Sequence, residues 1–147
     1  MENSLFYIQQ CFQTMPVWCK WEKRTEIDGH DRVGAYVLSV WGEAPAQGKG
    51  ILSETVVYIG ETHTASRNLM KRWSEFERVA LGKAKNHSGA RAFRDNSLSL
   101  NNTWLLAFPV PNELDHVGAS VLAQLFEREL IWHYYNKYGR LPICNKK

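Results

Sequence analysis

The longest regular pattern in the chain runs from Gly118 to Gly139 and constrains the fold more than any other feature. Its apolar residues recur at helical spacing, which places them on one broad face of a helix. Gly139 stands where helices commonly end. A helix with so broad an apolar face has to pack against a second layer. The residues of that face are Val121, Leu122, Leu125, Phe126, Leu130 and Ile131.

Segments rich in strand-forming residues can supply this second layer. Strands are predicted over Gly34 to Trp41, over Thr55 to Gly60 and over Thr103 to Val110. The first two form a hairpin whose long connecting loop is the glycine-rich stretch Gly42 to Gly50. A less regular strand is predicted over Val17 to Lys23 because this stretch is also rich in strand formers.

Further helices are predicted on both sides of these strands. Apolar residues at helical spacing predict a helix from about Ser66 to about Leu81, and a short helix follows within Asn86 to Asn96. Near the N-terminus, Ser4 caps a short helix that reaches Phe12. The order of elements predicts a small α+β domain, in which an antiparallel sheet is flanked by helices.

Bulk properties exclude several classes of protein. A chain of 147 residues suits a single domain with one core. No apolar run approaches the roughly 20 residues of a membrane span, and the polar start differs from a signal peptide. The three cysteines lack the close pairing of a zinc site. They predict reduced thiols and a cytoplasmic location.

Two tyrosines occupy matching places in the predicted hairpin. Tyr36 closes the sequence Gly-Ala-Tyr and Tyr58 opens Tyr-Ile-Gly, so the two phenols can meet on one face of the sheet. Arg72 lies on the following helix, and Glu127 lies on or beside the apolar face of the long helix. A carboxylate near a packed face is costly without a partner or a metal ion. These residues form the candidate site.

Five motifs taken in order resemble the GIY-YIG endonucleases. The order is two strand motifs, an arginine on the first helix, a glutamate on a later helix and a terminal asparagine. The resemblance spans about residues 32–147, which divides a single domain into a nuclease module and an N-terminal extension over 1–31. The motifs are Gly34-Ala35-Tyr36, Tyr58-Ile59-Gly60, Arg67 to Trp73, Leu125 to Ile131 and Leu141 to Lys147.

The resemblance implies hydrolysis of a phosphodiester bond in DNA. By position, Tyr36 is the general base or holds the attacking water, assisted by Tyr58, and Arg72 lies against the scissile phosphate. A guanidinium offsets the negative charge that builds up on the phosphate oxygens. An ordinary tyrosine has a pKa of about 10, so a neighbouring cation such as Arg72 or a metal-bound water has to ease the loss of its proton.

The same resemblance assigns the remaining site residues. Glu127 binds the metal, Mg²⁺ or Mn²⁺, which commonly takes only one or two protein carboxylates and keeps several waters. Gly60 lets the backbone turn tightly beside the site, and Gly34 is its counterpart on the first strand. Asn145 orients the backbone or a loop near the site, with Asn136 as the alternative.

The chain departs from the family pattern one helical turn after the arginine. Many members have a histidine or tyrosine there, whereas this chain has Phe76, which cannot exchange a proton. Either the role is vacant, or His87 or His63 fills it from a loop. Of the two histidines we prefer His87 as the substitute, although a solvent-exposed surface histidine is the more common interpretation of such a residue.

Basic residues are concentrated after the second strand motif and predict contacts with DNA phosphates. A monomer with one site nicks one strand, whereas cutting both strands requires a homodimer or transient pairing on DNA. The alternative function is a catalytically inactive or weak nucleic-acid-binding protein on the same fold. An unrelated interaction domain would leave the candidate site residues apart in space. The predicted phosphate contacts are Arg67, Lys71, Lys85, Arg91 and Arg94.

Overall fold

The computed structural model describes residues 8–11, 17–41 and 51–146. Its centre is an antiparallel sheet of four strands in the order β1-β4-β2-β3, so β2 is internal and β3 forms an edge. The predicted α+β class with an antiparallel sheet is confirmed. The strands are β1 (Cys19–Lys20), β2 (Gly34–Val40), β3 (Val56–Thr62) and β4 (Thr103–Pro109).

Besides the helical residues 8–11, the described part of the chain contains three α-helices, α1 (Leu69–Ala80), α2 (Ser88–Asp95) and α3 (His116–Tyr138). The Asn68 side chain begins α1 by accepting from the backbone N–H of Lys71 at 2.9 Å. Asp115 begins α3 in the same way, since its carboxylate satisfies a backbone donor of the first turn. Within the described ranges, no helix is both long and apolar enough to cross a membrane.

Most of the predicted elements agree with the structure, and the largest error lies near the N-terminus. A strand was predicted over Val17 to Lys23, but β1 ends at Lys20 and a 3₁₀ helix, Trp21–Glu26, follows it. The helix buries Trp21, and Arg24 donates to the Trp21 carbonyl oxygen at 2.9 Å. Residues 8–11 are helical as expected, whereas the rest of the predicted N-terminal helix and the loop at 42–50 lie outside the described residues.

The two faces of the sheet pack against different helices. Along β2, Ala35 and Val37 belong to the cluster that contains the apolar face of α3. Tyr36 and Leu38 point to the other face, as the period of a strand requires. The helices therefore enclose the sheet on both sides. On the second face, β2 packs with Leu69, Trp73 and Phe76 of α1 and Phe93 of α2.

The C-terminal segment covers the edge of the sheet formed by β3. The backbone N–H of Cys144 donates to the carbonyl oxygen of Val57 at 2.9 Å. The side chain of Asn145 then bonds both backbone groups of Ile59, two residues further along the same edge. The edge is thereby closed against further strand pairing at these positions.

Replacement of Leu130 by alanine tests the packing of α3 on the sheet. Leu130 is fully buried, so we expect the free energy of unfolding to fall by about 2–5 kcal/mol in chemical denaturation. The matched control is Val121→Ala on the same helix. Val121 was predicted on the apolar face, but its side chain is 59% exposed because the helix turns Leu122, Phe126 and Leu130 toward the sheet instead. We expect this control to change stability by less than about 0.5 kcal/mol. Equal losses in the two variants would contradict the described orientation of α3.

Candidate active site

Gly60 makes room for the two tyrosines of the hairpin. In the β2–β3 register Tyr36 lies opposite Gly60, and Tyr58 lies opposite Leu38, so the two rings are diagonal neighbours. Their centroids are 6.0 Å apart. A Cβ atom on Gly60 would lie 2.7 Å from the Tyr36 hydroxyl oxygen and 2.6 Å from Cε2 of Tyr58. Any side chain at this position would therefore displace both rings.

Tyr36 is fully buried between the sheet and α1. Its ring meets the edge of Trp73 at a centroid distance of 6.1 Å. Burial raises the pKa of Tyr36 well above its ordinary value, and the Tyr58 phenol adds to this. Arg72 lowers the pKa, as expected from the sequence, but the effect of burial is larger. Tyr36 is therefore a neutral phenol at neutral pH.

Tyr58 lies nearer to the surface, at the boundary between the hairpin and α2. Its ring packs 5.7 Å from Phe76 and 5.8 Å from His87, measured between centroids. It also contacts the backbone at Gly89, where a Cβ atom would lie 2.6 Å from Cζ of the ring. Burial raises the pKa of Tyr58 to about 12, with Arg72 opposing the shift. Both phenols are thus hydrogen-bond donors in this state.

Arg72 extends from α1 with about four fifths of its side chain shielded from solvent. Its Nη1 donates to the Glu75 carboxylate at 3.0 Å. Burial alone would lower the pKa of Arg72, but the Tyr36 phenol and the bond to Glu75 raise it overall. The guanidinium is therefore a fixed positive charge beside the two phenols.

Glu127 enters the site from α3. Burial raises its pKa to about 7, and the neighbouring Glu61 is the next largest cause. Arg128, His63 and Arg72 oppose this shift. The carboxyl group is therefore shared between its protonated and ionised forms near neutral pH.

The predicted residues come together from three elements that are distant in sequence. Glu127 raises the pKa of both Tyr36 and Tyr58, and Arg72 lowers it. The acid and the guanidinium therefore both lie within electrostatic reach of the two phenols. In an unrelated interaction domain, these four residues are expected to lie apart in space.

Two acids of the site fit the chemistry of a hard divalent cation. Glu61 and Glu127 offer oxygen donors, and their mutual repulsion is relieved when a cation binds between or beside carboxylates. In the part of the chain that the structure describes, no group of three or more His, Cys, Asp or Glu side chains forms a metal cage. The donor set thus suits Mg²⁺ with most of its water shell better than a closed structural site.

Glu61 was not predicted as a site residue. Its position directly after Tyr58-Ile59-Gly60 could have indicated a place at the site, because β3 continues to Thr62 and includes this acid. Both Glu61 oxygens contact Nδ1 of His63, at 3.0 and 2.9 Å. His63 is itself exposed and reaches the site through this acid.

His87 lies beside Tyr58 and close to Phe76, the residue that stands where many GIY-YIG endonucleases have a histidine or tyrosine. Its ring centroid is 5.1 Å from that of Phe76. His87 caps α2, because its Nδ1 accepts from the backbone N–H of Ala90 at 3.2 Å. This bond places the imidazole hydrogen on Nε2. Burial, followed by Arg72, lowers the pKa of His87 to about 3, so the ring is neutral.

The two remaining motif residues stabilise the backbone around the site. Asn145 accepts from Ile59 N–H at 2.9 Å and donates to the Ile59 carbonyl oxygen at 2.8 Å. Asn136, the alternative, is exposed on α3 beside Lys137. Gly34 pairs with Pro109, and a Cβ atom there would lie 2.9 Å from the Pro109 Cα. Gly34 therefore serves the β2–β4 contact.

The predicted phosphate contacts divide into near and far groups. Arg67 and Arg91 both lower the pKa of His87, which places them within reach of the site. Lys71 lies in the first turn of α1 and donates to the Ser66 carbonyl oxygen at 3.1 Å. Arg94 lies in the last turn of α2 against Gly82, and Lys85 is exposed in the connection before α2. The near group, Arg67 and Arg91, therefore lies beside the candidate site.

Comparison of the chain with protein-family models, with curated proteins and with solved structures gives no match. The resemblance to the GIY-YIG endonucleases therefore depends on the five motifs and on the geometry described above. A fold alone does not specify an activity, so the function has to be argued from the site.

The raised pKa of Glu127 predicts a specific dependence of stability on pH. Between the ordinary value and about 7, the folded protein keeps a proton that the unfolded chain has lost, so stability falls as pH rises. Glu127→Gln removes this penalty. We expect the Tm of the variant to exceed that of wild type at about pH 8 and to match it at about pH 4.

The matched control for this titration is Glu113→Gln, which alters an exposed acid before the start of α3 and outside the candidate site. Its Tm is expected to follow wild type at both pH values. A Tm difference between Glu127→Gln and wild type that does not change with pH would contradict the described environment of Glu127.

Proposed function

We propose that the protein is a metal-dependent endonuclease of the GIY-YIG type, which hydrolyses phosphodiester bonds in DNA. The observation that carries the proposal is the convergence of Tyr36, Tyr58, Arg72 and Glu127 at the covered edge of the sheet. These residues come from the hairpin, α1 and α3. Their chemistry matches what phosphodiester hydrolysis requires, namely oriented donors, a fixed cation and an acid that can hold a metal ion.

Arg72 stabilises the negative charge that develops on the phosphate. Only one of its N–H donors is engaged by Glu75, so others remain for non-bridging oxygens. Partial burial strengthens such contacts because less water screens them. The guanidinium is also held in place before the substrate arrives, so little reorganisation is needed in the transition state.

The two tyrosines orient reacting groups by donating hydrogen bonds. Their raised pKa values make loss of a proton costly at neutral pH, which favours the water-holding role over that of a phenolate base. Tyr58, the more accessible ring, contacts water or phosphate, and Tyr36 supports it from beneath. The water oxygen attacks phosphorus and gives up a proton, one P–O ester bond breaks, and the leaving oxygen takes up a proton in its place.

Glu127, with Glu61 beside it, would hold Mg²⁺ or Mn²⁺. When bound, such an ion supplies charge neutralisation at phosphate oxygens and lowers the pKa of coordinated water. Glu127 is suited to this task because its ionised form, which burial disfavours, is the form that a cation stabilises.

Basic residues around the candidate site bind the DNA backbone on either side of the scissile bond. Arg67, Lys71 and Arg91 are exposed and lie near the start of α1 or α2. Contacts of this kind position the duplex without reading its sequence. One active site cleaves one strand, so a double-strand break requires a second copy of the chain on the DNA.

A second candidate function is nucleic-acid binding without cleavage. Two observations favour it: Phe76 is buried in the core, and the neighbouring His87 has a pKa of about 3. Neither side chain exchanges protons near neutral pH. This candidate predicts that wild type binds DNA and leaves it uncut with Mg²⁺ and with Mn²⁺.

Replacement of Arg72 by alanine tests the proposed transition-state contact. We expect the cleavage rate to fall by about 10²- to 10³-fold, the usual effect of losing one such donor. The rate is measured with excess enzyme on a labelled oligonucleotide and on plasmid DNA. Arg78→Ala, in the last turn of α1, is the matched control and retains the wild-type rate. Weaker DNA binding with an unchanged rate would show that Arg72 only docks the substrate.

Replacement of Glu127 by alanine tests the metal-binding assignment. We expect cleavage to be lost with both Mg²⁺ and Mn²⁺, while DNA affinity stays within a few-fold of wild type. The reason is that the variant loses a metal ligand and keeps its phosphate contacts. Glu129→Ala on the same helix removes a partner of His133 and serves as the control. Continued cutting by Glu127→Ala would mean that another residue holds the metal.

A further inference from the structure

A single carboxylate joins two arginines at the candidate site. Glu75, one turn after Arg72 on α1, contacts Arg72 Nη1 through Oε2 at 3.0 Å. Its other oxygen, Oε1, contacts Nε of Arg67 at 3.1 Å. Each oxygen of Glu75 therefore has its own guanidinium, and the carboxylate cannot rotate without losing one of them.

An acid at this place is unfavourable for a site that receives an anionic polymer. Glu75 offsets part of the positive charge of Arg67 and Arg72, the two proposed phosphate-binding residues, and this lowers the attraction of the site for DNA. A gain in stability does not account for it, because all three side chains are partly exposed and such ion pairs contribute little. A role in the geometry of the site explains the arrangement better.

The geometry of a guanidinium gives Glu75 that role. The group is planar and carries five N–H donors in a fixed arrangement, so a bond at Nη1 limits how the whole plane can turn. The effects of Arg72 on Tyr36 and Tyr58 place the same guanidinium beside the phenols. Glu75 thus holds one side of Arg72 while other donors remain free for a ligand.

We propose that Glu75 is a positioning residue, which orients Arg72 toward the scissile phosphate and ties it to Arg67 as a paired guanidinium site for DNA phosphates. The inference rests on the proposed endonuclease function and adds to it a residue outside the five motifs. Arg67, the more exposed member, takes a flanking phosphate. Arg72, the more buried member, takes the phosphate under attack.

A different role for Glu75 predicts effects of the opposite sign. If the carboxylate occupied the place of a phosphate and had to be displaced by DNA, its removal would speed cleavage and tighten binding. If it oriented Arg72, its removal would slow cleavage and leave binding equal or tighter, because a negative charge is lost. The sign of the rate change therefore separates the two roles.

The experiment compares Glu75→Ala, Glu75→Gln and wild type in single-turnover cleavage of a labelled duplex. DNA affinity is measured separately by fluorescence anisotropy in EDTA. We expect Glu75→Ala to lower the rate by about 10- to 100-fold, the scale of a misplaced catalytic group, without weakening binding. Glu75→Gln keeps an amide oxygen that can accept from Arg72, so it recovers most of the wild-type rate.

Glu77→Ala provides the matched control on the same helix. Glu77 pairs with Arg24 away from the tyrosines, so this variant loses a comparable ion pair and keeps the wild-type rate. The Tm of each variant is recorded beside its rate. A fall in rate that follows the fall in Tm in both Glu75→Ala and Glu77→Ala would overturn the positioning role.

The remaining outcomes distinguish this inference from the proposed function. A wild-type protein that does not cut overturns both. A wild-type protein that cuts, with Glu75→Ala equally fast or faster, overturns the positioning role alone. Equal losses in Glu75→Ala and Glu75→Gln also overturn it, because the charge and not the orientation of Arg72 would then be responsible.

Discussion

The absence of a side chain at Gly60 is the constraint on which the candidate site depends. The space that a Cβ atom would fill is taken by the Tyr36 hydroxyl and by the ring of Tyr58. Tyr36 in turn packs on Trp73 of α1, and Tyr58 packs on the backbone of α2 at Gly89. A glycine on the edge strand thus sets the distance between the sheet and two helices, and a slip in the β2–β3 register would separate these contacts.

Burial dominates the electrostatics of the site. Arg72 lowers the pKa of each phenol, yet both pKa values rise. The reason is that burial destabilises the phenolate form by more free energy than the attraction of one partly shielded cation restores. The same balance raises the pKa of Glu127 to about 7. Without a bound cation, the site therefore contains neutral phenols, one fixed positive charge and an acid close to its titration point. These charges are the reason why a phosphate and a divalent cation are proposed as the ligands of the site.

The sequence predicted the parts of the fold that periodicity controls. The strands β2, β3 and β4 follow from runs of strand-forming residues, and the helix α3 follows from its apolar residues at helical spacing. The caps at Asn68 and Asp115 shift the helix starts by a few residues. The 3₁₀ helix Trp21–Glu26 was missed because burial of Trp21 and the ion pair of Arg24 with Glu77, which is far away in sequence, stabilise it. Motif order suggested Tyr36, Tyr58, Arg72 and Glu127, whose roles in a reaction stay predictions. Glu61 and Glu75 were not predicted as site residues, because only their neighbours in space connect them with the site: Glu127 in the case of Glu61, and Arg67 and Arg72 in the case of Glu75.

Assembly of the site requires every layer of the fold at once. The hairpin brings the phenols, α1 brings the guanidinium, and α3 brings the acid from the opposite face of the sheet. These groups meet at the edge strand β3, whose backbone is held by Asn145 from the C-terminal segment. No single element contains enough of the site to act alone. The bonds from Asn145 therefore support the site: by holding Ile59, they restrain both Tyr58 and Gly60, and with them the position of Tyr36.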